Sequence, residues 1–163
     1  MRIALVLVVA LAACHFGGEY QGSSRHGGTV DRGETNGRMF DFVSDKPEGD
    51  DWQIRIRGSS LFASYALAEK SDKLGPVNLD PAETDKVWEL IDKLDIAQRK
   101  KGKKDQDGGT VTLRLREPGD EELHDIFTVY IPRDDANDDE DISELAKYLQ
   151  KLVTKYFKEK PNF

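Results

Sequence analysis

Trp52, Ile54 and Ile56 alternate with Gln53, Arg55 and Arg57, and just beyond them Leu61, Ala63 and Tyr65 alternate with Phe62, Ser64 and Ala66. Runs of period two are half-buried strands, because successive side chains of a strand point to opposite faces. Gly58-Ser59 lies between them, with glycine at the first central position, as a type II′ two-residue turn requires. Counting outward from that turn pairs Ile56 with Leu61, Ile54 with Ala63 and Trp52 with Tyr65. All three pairs share a face, and a slip of one residue would send every one of them to solvent. The turn and the apolar pattern demand the same register. The chain is thereby committed to an antiparallel sheet with one apolar face, and Arg55, Arg57 and Phe62 are assigned to the other.

An apolar sheet face needs a cover. Asp80-Pro81-Ala82-Glu83 starts a helix, with aspartate at the N-cap, proline at N1 and glutamate at N3. Val87, Leu90, Ile91 and Leu94 follow at helical spacing and form one buried stripe. Asp141-Ile142-Ser143-Glu144 predicts a second start of the same kind, with Leu145, Leu149, Leu152, Val153 and Tyr156 as its stripe. Phe40 and Phe42 mark an earlier strand. Val111, Leu113 and Leu115 alternate with Thr112, Arg114 and Arg116, and after a turn at Pro118-Gly119 the strand carrying Phe127, Val129 and Ile131 returns. The order strand, strand, strand, helix, strand, strand, helix predicts an α+β fold. It is an antiparallel sheet of about five strands with two helices packed on one face, over residues 39–163 as a single domain.

The N-terminus is of another character. Met1 to Ala10 carries one basic residue, Arg2, and is otherwise apolar; Leu11-Ala12-Ala13-Cys14 closes it. A basic start, a short apolar core and small residues at the cut describe a secretory signal, and the run falls short of the roughly 20 apolar residues of a membrane span. The Leu-Ala-Ala-Cys ending resembles the lipobox of bacterial lipoproteins. That resemblance implies cleavage after residue 13 and acylation of Cys14 (palmitate among the chains), so that the protein is held at the cell envelope on the periplasmic side. With His15 rather than aspartate after the cysteine, the family's sorting rule favours the outer membrane in a Gram-negative cell. Residues 14–38 hold seven of the chain's 14 glycines and show no apolar periodicity. They read as a flexible tether whose mean reach, for a random coil of that length, is roughly 25–30 Å.

Composition then narrows the function. Net charge is −7, with 34% of residues charged, which argues against general nucleic-acid binding. Cys14 is the sole cysteine, so no intramolecular disulfide stabilises the fold. His15 and His26 lie in the tether and His124 stands alone, so no nucleophile–base pair is legible, and no serine-hydrolase, zinc-protease or phosphate-loop motif occurs. No catalytic residue and no cofactor is predicted. Asp135, Asn137 and Asp139 have the first spacings of a calcium loop. Glu140 then stands where glycine is needed and Ala146 where a bidentate glutamate is needed, leaving at most a weak calcium site in what otherwise reads as a solvated acidic loop.

Charge placement is the stronger lead. Residues 96–116 hold seven basic and two acidic side chains, and residues 117–141 one basic and eleven acidic. A sign change this sharp can orient a partner. Arg55, Arg57, Arg114 and Arg116 all fall on the sheet face opposite the apolar one, with Phe62, Thr112, Thr128 and Tyr130. Arginine with aromatic residues is the composition that binding surfaces favour. The plain alternative is that these arginines pair with neighbouring acids and keep an exposed sheet soluble. The loop Arg99-Lys100-Lys101-Gly102-Lys103-Lys104 reads as solvated, its sharper reading being contact with anionic headgroups or an acidic partner. The expectation is a lipid-anchored, non-enzymatic binding or accessory module that uses Arg55, Arg57, Phe62, Arg114, Arg116 and Tyr130 toward an acidic protein or another envelope component. The alternatives are an envelope hydrolase acting on glycan through a carboxylate pair, or a structural spacer.

Overall fold

The computed structural model describes residues 37–67, 70–118 and 124–163. The signal segment, Cys14 and the tether up to residue 36 lie outside the described residues. The elements are β1 (Met39–Asp45), β2 (Asp51–Arg57), β3 (Ser60–Leu67), β4 (Lys70–Asn78), α1 (Pro81–Lys93), β5 (Thr110–Pro118), β6 (His124–Pro132), α2 (Arg133–Asp138) and α3 (Glu140–Phe157). The strands form one antiparallel sheet in the order β4-β3-β2-β1-β5-β6. β1 to β4 form a four-stranded meander; α1 then carries the chain back across the sheet, and β5 pairs with the remaining edge of β1. The first strand thus becomes central, which is why Phe40 and Phe42 are fully buried. Ile56 pairs with Leu61, Ile54 with Ala63 and Trp52 with Tyr65, in the register that the Gly58-Ser59 turn demands.

Six strands replace the expected five, and three helices the expected two. The additional strand, β4, is an edge strand with every residue exposed or half-exposed, so it carries no apolar alternation. Its lysines and Pro76 are what a protected sheet edge tolerates. The additional helix, α2, has six residues and buries only Ala136. The last helix begins at Glu140 and not after Asp141. Asp139 is the N-cap, its carboxylate accepting the Ile142 N–H at 3.1 Å while Arg99 Nη1 donates to its second oxygen at 2.7 Å. Several acids in this run have the chemistry of a cap; Arg99 selects one.

The apolar sheet face, the α1 stripe (Val87, Leu90, Ile91) and the α3 stripe (Ile142, Leu145, Leu149, Leu152, Val153) share one buried core. Phe163 closes one end, its ring centroid 4.9 Å from that of Phe42. Arg38 closes another: it stacks over Trp88 at 4.6 Å and bridges Asp92 of α1 to Glu117 of β5.

Between the helices, Glu83 joins three partners. It completes the capping box at Asp80 and accepts from Lys155 Nζ at 2.7 Å and from Tyr156 Oη at 2.6 Å. Burial by itself would push the Glu83 carboxyl up, but Lys155, Tyr156 and the Asp80 amide together hold it below the ordinary carboxylate range. A folded-state value below the unfolded one, about 4.3, contributes stability that is whole above the unfolded value and is lost as pH falls through the folded one. The Glu83→Gln variant is therefore expected to be less stable than the parent at pH 7, with the gap closing as pH is lowered through about 4. Urea titrations across pH measure it. A gap independent of pH would show that the Glu83 charge contributes nothing.

Candidate functional site

The face away from the helices is organised in rows across the strands. Strand register places Phe62, Arg55, Asp41, Arg114 and Thr128 in one row, and Ser64, Gln53, Val43, Thr112 and Tyr130 in the next. A shallow depression of about 460 Å³ runs over the middle of this face. Asp41, Val43 and Gln53 line it from one side, and Thr112, Arg114, Ile126, Thr128 and Tyr130 from the other. Its volume lies within the range of about 300–1,000 Å³ usual for ligand sites.

The arginines are not equivalent. Asp41 is only 3% exposed although it sits on the solvent side of the sheet. It accepts from Arg55 Nε at 2.6 Å and from Arg55 Nη2 at 3.2 Å, a two-pronged ion pair across β1 and β2. Arg55 thus serves Asp41. Arg57 is exposed at the end of β2, opposite Ser60. Arg114, which flanks Asp41 from the other side, is exposed and pairs with no carboxylate among the described residues. Arg116, two residues on, is half-buried, and its buried Nε has no hydrogen-bond partner among the described residues; the Thr112 hydroxyl is in the same condition. Of the six residues expected to form the binding surface, the depression brings together Arg114 and Tyr130. Arg55 and Phe62 share the row of Arg114, while Arg57 and Arg116 lie in the row beyond.

The basic loop contributes in a way its composition did not show. Lys101 O accepts the Tyr130 N–H at 2.7 Å, which pins the loop to the outer edge of β6. Lys104 reaches the depression, 3.5 Å from Asp45 Oδ2 and 5.9 Å above the Tyr130 ring. Gly102 permits this approach. Its φ is +66°, and a Cβ there would come within 2.1 Å of the Tyr130 carbonyl oxygen. Gly102→Ala is expected to destabilise by about 1–3 kcal/mol, the scale of a strained backbone position, and to speed hydrogen exchange at the Tyr130 amide. An unchanged exchange rate would mean that the loop does not depend on this contact.

The acidic end of the depression holds Asp45 and Asp51. Burial pushes the Asp45 carboxyl up, opposed by Lys104 and reinforced by Asp51. Asp51 accepts the Lys46 amide at 2.9 Å. Asp41, Asp45, Gln53 and Ile126 escaped the sequence reading as site residues, and Lys104 entered it only within the basic loop. Alternation places Asp41 on the solvent side, but only the strand order and register set it opposite Arg55.

Of the calcium candidates, Asp135 and Asn137 are exposed on α2, while both Asp139 oxygens are engaged by Arg99 and the α3 amide. Among the described residues, no three or more His, Cys, Asp or Glu side chains converge as metal ligands. His124 is exposed at the start of β6, and no described helix is long and apolar enough to cross a membrane. Neither protein-family models nor curated proteins give a match to this chain.

Proposed function

We propose that this protein is a lipid-anchored component of a bacterial envelope, held by Cys14, and that it acts as a non-enzymatic binding or accessory module through the face of the sheet away from the helices. The observation that carries the reading is the inequality among the arginines. Asp41 neutralises Arg55, whereas Arg114 lines a ligand-sized depression and Arg116 stands in the row beyond it, both without a carboxylate partner among the described residues. A face whose arginines served only solubility would pair them with the acids that abound in this chain.

Anchoring is tested by labelled palmitate, which the full chain should incorporate and the Cys14→Ser variant should not. Docking is tested by capture from envelope extract. A partner held by the parent and by a Lys147→Glu/Lys151→Glu control on α3, but lost by Arg114→Glu/Arg116→Glu, supports the reading. Capture that is indifferent to both variants argues against it.

Asp45 favours a second reading, an envelope hydrolase. A carboxyl raised by burial beside a second acid in a depression is the arrangement that acid–base cleavage of glycans uses. Release of reducing sugar from cell-wall glycan by the parent, abolished by Asp45→Asn, would establish it.

A further inference from the structure

Resting on the docking-face reading, we infer that the ligand of this face is an extended acidic peptide segment with carboxylates at alternate positions, gripped by Arg114 and Arg116. Three observations converge. The two arginines occupy positions i and i+2 of β5 on one face, so their Cα atoms stand about 6.8 Å apart along the strand. That is also the spacing of same-side residues in an extended peptide laid along it. Neither guanidinium has a carboxylate partner, nor Arg116 Nε an acceptor, among the described residues. A guanidinium without a carboxylate partner gains a charge-assisted bond from an incoming carboxylate. The nearest acid on the face, Asp41, is already held by both prongs of Arg55 and does not compete.

The surroundings favour a peptide over a small anion. Ile126 lies directly across from Arg116 and is 52% exposed, the one large apolar side chain that stands out among the described residues. Thr128 lies across from Arg114, and Tyr130 continues the same line. An extended chain over β5 and β6 sets its acids on the arginines and its body on Ile126 and Tyr130. An inorganic anion uses the arginines alone.

The test is a titration of the full chain carrying Cys14→Ser, followed by NMR at the arginine Nε–Hε resonances. The probe is a capped Glu-Ser-Glu-Ser-Glu peptide. Its controls are the same peptide with glutamine for glutamate, a Glu-Glu-Glu-Ser-Ser peptide of identical charge, and inorganic phosphate. Saturable shifts at Arg114 and Arg116 are expected with the alternating peptide, with at least about tenfold weaker binding for the glutamine peptide, as loss of charge-assisted bonds implies. The block peptide and phosphate should also bind more weakly. Arg114→Gln and Arg116→Gln should each weaken the alternating peptide about tenfold while leaving the backbone amide spectrum intact. No saturable shift, equal binding of the glutamine or block peptide, or phosphate binding as tightly as peptide would overturn the inference. If the peptides fail while Arg114→Glu/Arg116→Glu still abolishes capture from envelope extract, the docking face stands and only its ligand class is wrong.

Discussion

Replacing Phe40 by alanine is expected to lower the unfolding free energy by about 3–5 kcal/mol, the usual cost of truncating a buried aromatic side chain. Phe40 is fully buried on the central strand, paired with Ile56 on one side and Leu115 on the other. A cavity there is enclosed by sheet neighbours and by the α1 and α3 stripes, which gives it little room to collapse. Against a total of about 5–15 kcal/mol for an ordinary domain, this one change removes a large share. Chemical denaturation of the parent and the variant measures it; a loss below about 1 kcal/mol would mean that β1 is not central.

The second large effect concerns the Asp41–Arg55 pair. Asp41→Leu alone leaves the Arg55 guanidinium, 20% exposed, without its carboxylate. Breaking a buried pair on one side costs about 3–5 kcal/mol, and the solvent that reaches Arg55 reduces this to about 2–3 kcal/mol. The double variant Asp41→Leu/Arg55→Met removes both charges and should return to within about 1 kcal/mol of the parent, since apolar replacement of a whole buried pair is often neutral. Urea denaturation of the parent, both single variants and the double variant closes this cycle. Strict additivity of the two single changes would contradict a coupled pair. The cycle bears on function as well, because the pair is what leaves Arg114 without competition from Asp41.

The parts of the fold that were legible in the sequence are those where two independent signals agree. The β2–β3 hairpin had both a turn glycine and a matched apolar alternation, and α1 had a capping box followed by a stripe. Edge strand β4 had neither: its residues are exposed or half-exposed, so burial never wrote a period into Lys70–Asn78. The start of α3 was ambiguous because every candidate cap in residues 138–141 is acidic, and the choice is made by Arg99, forty residues away. Phe163 and Arg38 likewise join the domain through contacts distant in sequence, with Phe42 and with Trp88, Asp92 and Glu117.

For the site, strand parity placed the four arginines on one face correctly. Parity could not tell which of them is neutralised. Asp41 reads as an ordinary solvent-side aspartate until β1 is known to lie between β2 and β5, where it has arginines on both sides. Nor could it bring Lys104 into the depression, because that depends on a loop pinned by the Tyr130 amide and admitted by Gly102.

The docking role of the arginine face can be probed in the cell. Its most direct test is a photo-crosslinking residue at Thr128, within the depression, compared with one at Lys147 on α3, in bacterial cells making the full chain. A discrete adduct is expected from position 128 that is absent from position 147 and that disappears when Arg114 and Arg116 are changed to glutamate. Identical adducts from both positions, or none from 128, would contradict that role and leave the face a solvated surface.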